Sequence, residues 1–131
     1  MRGRQYPESE DFYDGNWLVA KAHAGAAGAS VWVEGPILLV QDVAKFVAEC
    51  EAIYRGEAPS ATLEPAEPEL KVVLEVSDGP GHFRVRVEIT PDPLRQAHCF
   101  EFEIDQSDLP GIVAQGLTIL REYPVRGAKG R

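Results

Sequence analysis

The chain has 131 residues, of which 44% are hydrophobic and 26% charged, and a net charge of −8. That is the size of one ordinary globular domain, long enough to hold a core without a metal or a disulfide. The acidic balance repels nucleic acid phosphates, so direct DNA or RNA binding is not expected, and no apolar run approaches the roughly 18 residues of a membrane span.

The first stretch, MRGRQYPESEDFYDGN, is positively charged at its start but has no apolar segment behind it. It does not read as a signal peptide, and the expected location is cytoplasmic. Residues 1–16 read as a polar N-terminal arm. Its acids are Glu8, Glu10, Asp11 and Asp14, and Tyr6, Phe12 and Tyr13 are available to dock it. Residues 17–124 form the single domain of this reading, and residues 125–131 a basic, flexible tail.

Two β-rich runs, NWLVAKAH and ASVWVEGPILLV, flank the small residues AGAAG, which suits a hairpin. Gly35-Pro36 interrupts the second run. Proline cannot donate to a ladder, so a bulge or an edge is expected there. In QDVAKFVAECEAIYRG, Val43, Phe46, Val47, Cys50, Ile53 and Tyr54 recur at spacings of three and four. They mark one helical stripe, with Asp42 in the first turn and Gly56 as the stop. The Pro- and Glu-rich EAPSATLEPAEPEL is a connection holding one short strand around Ala61–Glu64.

Three alternating strands follow. Leu70, Val72, Leu74 and Val76 share a face, as do Phe83, Val85, Val87 and Ile89, and then Phe100, Phe102 and Ile104. A strict period of two marks antiparallel strands with one covered and one wetter face. On the wet face, Arg84 and Arg86 are expected between Lys71/Glu75 on one neighbour and Glu101/Glu103 on the other. That is a charge ladder rather than a phosphate site. SDGPG carries Asp78-Gly79, a hairpin signal. After Ser107, Leu109, Ile112, Val113, Leu117 and Leu120 follow helical spacing. With Ser107 as N-cap, Pro110 falls at the third helical position, where its missing N–H costs nothing. Asp105 as cap would put the proline at the fifth. Asp105 and Asp108 therefore read as structural, not as a catalytic dyad.

No catalytic residue, cofactor or metal site is assigned. No serine lies in a G-x-S-x-G elbow, and there is no Walker loop, G-x-G-x-x-G or H-E-x-x-H. Cys50 and Cys99 lack partners at zinc-like spacing and read as free thiols. His23, His82 and His98 stand at or near strand ends.

The order is strand pair, helix, link, three strands, helix. NWL opens the first strand, EAIYRGEAPSATLEP follows the first helix, and FEFEIDQSDLP runs from the last strand into the last helix. Over roughly residues 16–123 this resembles the WapI-type immunity proteins of bacteria, small acidic proteins that accompany secreted polymorphic toxins. The resemblance implies a toxin-neutralising binding protein and no enzyme. The expected fold is α+β: one antiparallel sheet of five or six strands with two helices packed on one face. The expected partner is a basic toxin domain of nuclease type, with no membrane involvement. Its candidate contact residues are Glu8, Glu10, Asp11 and Asp14 on the arm with Trp17 at the start of the domain, or Glu101 and Glu103 on the outer row. Two further readings are a small-ligand binder or enzyme with a pocket near Trp32, His23 and His98, and a homo-oligomeric structural protein pairing through an edge strand.

Overall fold

The computed structural model describes residues 1–79 and 81–127. Pro80 of the SDGPG turn and residues 128–131 of the expected tail lie outside the described residues. The strands are β1 (Gly3–Arg4), β2 (Trp17–Ala26), β3 (Ala29–Leu39), β4 (Ser60–Leu63), β5 (Leu70–Val76), β6 (His82–Ile89) and β7 (Cys99–Asp105). The helices are α1 (Val40–Tyr54) and α2 (Leu109–Glu122). The class is α+β, but the strands form two antiparallel sheets, not one of five or six strands. One is three-stranded in the order β1-β2-β3, the other four-stranded in the order β4-β5-β6-β7. The division falls at α1, which carries the chain away from β3 before β4 begins.

The β2–β3 hairpin turns at Ala27 and Gly28, with φ of 52° and 87°. Two consecutive left-handed residues match the twist of the flanking strands. The pairing slips between Leu18 and Val19, where β3 carries Pro36. The irregularity that Gly35-Pro36 announces is therefore present.

The apolar face of the four-stranded sheet has two covers. Cys50 and Ile53 of α1 and Leu109 of α2 pack on Ala61, Leu74, Phe83 and Val85, with Ile104 and Ile112 against them. At the other end, Leu18, Ala20, Val31 and Val33 of the small sheet pack with Leu70 and Ile89, and Phe100 joins them. Tyr54, expected in the α1 stripe, is 48% exposed and borders a cavity between α1 and α2. Burial pushes the Cys50 thiol up to about 11, so it stays protonated and unreactive at neutral pH.

α1 begins where Asp42 Oδ2 accepts the Leu39 N–H at 2.8 Å. α2 begins differently from the expectation. Ser107 is not its cap: Gln106–Asp108 form a 3-10 turn that leads into the helix, and Asp105 is the extended residue before it. Asp108 Oδ2 accepts the Asp105 N–H at 2.9 Å. The tighter turn removes the objection to Asp105, because Pro110 is then the second residue of α2 and no intrahelical N–H is lost.

The helices meet at Gly116. A Cβ there would stand 2.3 Å from Val47 Cγ2, whereas one at Gly111 would meet nothing within 4 Å. Val47 is buried and stiff at χ1, so it has nowhere to move. Gly116→Ala should cost about 1–3 kcal/mol of stability by overpacking, despite the better helix propensity of alanine. Gly111→Ala should gain up to about 1 kcal/mol. Urea denaturation of the pair checks both signs. In the same assay Asp108→Ala should lose about 0.5–2 kcal/mol, the usual worth of a helix-start hydrogen bond, and Ser107→Ala far less.

Candidate functional site

The arm residues are held by one buried amide. Asn16 is fully buried. Its Nδ2 donates to Phe12 O and, at 2.9 Å, to Arg126 O, while its Oδ1 accepts the Arg126 N–H at 2.9 Å. Arg4 adds a second donor to Oδ1 at 3.2 Å and also bonds Gly15 O and Pro124 O. Arg126 Nη1 reaches Pro7 O at 2.6 Å and Ser9 O at 2.9 Å. Burial, with Arg126 close by, lowers the Arg4 pKa.

Glu8, Glu10 and Asp14 therefore project from a segment laid over two guanidinium groups. Asp11 is partly committed to that segment, since its Oδ2 accepts the Tyr13 and Asp14 N–H groups at 2.9 and 3.0 Å. Trp17 opens β2 and is only half-buried. The arm acids and Trp17 thus lie within one stretch of chain, but two arginines offset part of their charge.

Glu101 and Glu103 stand on β7, an edge strand paired only to β6 among the described residues. The register sets Arg84 between Glu75 and Glu103, and Arg86 between Val73 and Glu101. Arg84 turns to Glu75, at 3.9 Å, and Arg86 Nε donates to Cys99 Sγ at 3.3 Å. This hydrogen bond, ahead of the nearby acids, raises the Arg86 pKa. The ladder expected across three strands is thus an ion pair on one side only. It leaves Glu101 and Glu103 exposed and, among the described residues, without an ion pair.

Behind this row the inner face of β7 is incompletely covered. Phe100 joins the core under the small sheet and Ile104 the core under the helices. Phe102, between them, is 50% exposed. It borders a groove of about 580 Å³ lined by Ala22, Ala24 and Ala26 on one wall and by Val72, Val87 and Phe100 on the other. Alternation places Phe102 inward but does not foretell its exposure. The signal is in the other sheet: KAHAGAAG offers alanine and glycine where a larger side chain would be needed to reach it.

His23 and Trp32 do come together. They are cross-strand partners on the exposed side of the hairpin, with rings 3.8 Å apart and 21° from parallel. Lys21 Nζ lies 4.7 Å from the Trp32 ring centre, and His23 Nε2 is 2.6 Å from Ser30 Oγ. His98 is not part of this cluster: its N–H bonds Thr90 Oγ1 at 3.1 Å in the β6–β7 connection. Neither Trp32 nor His98 lines the groove, and His23 is the one titratable residue that does. None of the described cavities is lined by all three. Among the described residues no cluster of three metal-ligating side chains occurs, and no helix is long and apolar enough to cross a membrane.

The model of the immunity protein WapI-like family matches residues 1–124. The chain belongs to that family. Comparison with curated proteins and with solved structures found no match. The family match includes the arm, and so extends beyond the 16–123 span that carries the resemblance in the sequence.

Asn16→Ala removes the amide that ties the family member's two terminal segments together. It should destabilise the fold by about 1–3 kcal/mol, because buried carbonyl and N–H groups lose their partners. Amide exchange in residues 11–16 and at Arg126 should accelerate more than in β5–β7, which hydrogen-exchange NMR reads directly.

Proposed function

We propose that this chain is a non-catalytic binding protein that neutralises a bacterial toxin domain by covering it with an acidic surface. Membership of the WapI-like immunity family carries the reading. The net charge of −8 and the exposed carboxylates of Glu8, Glu10, Asp14, Glu101 and Glu103 support it. A toxin that acts on nucleic acid needs a basic surface for its anionic substrate. An acidic inhibitor fits the same surface and gains association rate from steering.

Cytoplasmic residence accords with this role, since the protein would meet an incoming toxin there. Like charge on its own surface also favours staying apart from other copies, and we take the working form to be the one that meets the toxin singly.

The test is co-expression with the polypeptide encoded beside it. A complex that survives purification is expected, together with rescue of growth in cells producing that polypeptide. Its association rate should fall about tenfold or more between 50 and 500 mM salt, because steering between exposed charges is screened. Absence of both complex and rescue would overturn the reading.

A further inference from the structure

The hydrogen bonds at the two ends of β7 fix which of its backbone groups are unused. Ile89 N–H donates to His98 O at 3.1 Å, and Gln106 N–H to Gly81 O at 2.9 Å. In an antiparallel ladder, residues exchange bonds with a neighbour at every second position. With these ends, Phe100, Phe102 and Ile104 bond to β6, opposite Val87, Val85 and Phe83. Cys99, Glu101 and Glu103 aim their N–H and C=O groups away from it. The next N–H in that outward series, that of Asp105, is taken by Asp108 Oδ2. β7 thus offers a short, bounded set of free ladder groups centred on Glu101 and Glu103.

The other exposed ladder positions are poorer templates. β4 is the opposite edge of this sheet, but its Thr62 N–H donates to Glu49 Oε1 at 2.9 Å and α1 packs beside it. β3 carries Pro36 and the register slip. β7 has neither proline nor bulge, and its inner row opens onto the alanine-walled groove at Phe102.

Resting on the immunity reading, we propose that the toxin is captured at β7 by strand addition. The partner presents an extended segment in which Lys or Arg alternates with an apolar residue. Its basic residues face Glu101 and Glu103 on the outer side. Its apolar residues lie beside Phe100 and Phe102 and close the groove. The backbone supplies affinity and the two rows supply selectivity.

The same geometry disfavours a second copy as the occupant. Pairing β7 with itself in antiparallel fashion about Phe102 sets Glu101 opposite Glu103, and like charges directly opposed destabilise a pair. An acidic row on an edge strand is a known means of preventing self-association.

The probe is a capped heptapeptide of alternating lysine and valine, added to the full chain at low salt. The N–H groups of Cys99, Glu101 and Glu103 should become protected from hydrogen exchange about tenfold or more. Those of Phe100, Phe102 and Ile104, already bonded to β6, should change much less. The alternating glutamate–valine peptide should give no protection. Neither should the lysine–valine peptide N-methylated at alternate residues, which keeps the charge and removes the ladder donors.

The exposed carboxylates are neutralised in the double variant Glu101→Gln/Glu103→Gln, which sets no like charge opposite Arg84 and Arg86, should melt close to the parent and should lose the preference for the lysine–valine over the glutamate–valine peptide. Absence of β7 protection, or equal binding of the N-methylated peptide, overturns the proposal. So does co-purification of the adjacent polypeptide with parent and double variant alike, an outcome that leaves the immunity reading standing. If neither form co-purifies it, that reading fails, while the peptide result still decides whether β7 accepts a strand.

Discussion

One sheet face has to be buried by two different covers. The apolar rows of β5, β6 and β7 run the length of the four-stranded sheet, and at one end Leu74, Phe83 and Ile104 lie in a core with Cys50, Ile53 and Leu109 of the helices. At the other end Leu70, Ile89 and Phe100 lie in a core that holds the small sheet together with Val40, Val43 and Val47 of α1. Burying apolar surface contributes roughly 25 cal/mol per Å², so the second cover is no ornament. It requires the β2–β3 hairpin to fold across, and it leaves a seam where the covers meet. Phe102 sits at that seam.

The N-terminal segment follows from the same requirement. β2 must be fixed where it crosses onto the larger sheet. Its start is held by β1, which pairs Gly3 with Val19 and Arg4 with Leu18. Arg4 then ties the segment to Pro124 and Asn16 to Arg126, just beyond the end of α2. The polar residues 1–16 and the residues after α2 thus fasten the small sheet to the helical half of the molecule. Their hydrogen bonds run to backbone atoms more than a hundred positions away in the chain.

Much of this was legible locally. Alternation gives β5, β6 and β7, and helical spacing gives α1 and α2, because both report a face that must be buried. The separation into two sheets was not legible. β3 ends directly in α1, and whether β4 then returns to β3 depends on contacts remote in sequence. The start of α2 departs from the expectation for a different reason. Counting helical positions from the cap assumes an α-helix from the first residue, and a 3-10 turn changes the count. At the candidate site, Glu101 and Glu103 were evident as an outer acidic row, but their lack of ion pairs depends on how Arg84 and Arg86 turn. Phe102 could not be told from a core residue without knowing what lies across from it.

The stretch FEIDQSD joins these levels. Its alternation builds the edge strand, and its last acids start a helix. Asp108 Oδ2 starts α2 by taking the Asp105 N–H, and that N–H is also the point at which the free ladder of β7 would continue. A carboxylate in the middle of a strand would stay solvated and leave the edge open. Three residues on, in a 3-10 turn, it folds back and closes the edge at one end. At the other end β7 begins at Cys99, so the outward series starts there. A register error of one residue along a strand inverts every side chain. A short edge with defined ends restricts the registers that any added strand can adopt. The helix start is therefore part of what gives the acidic row a fixed position.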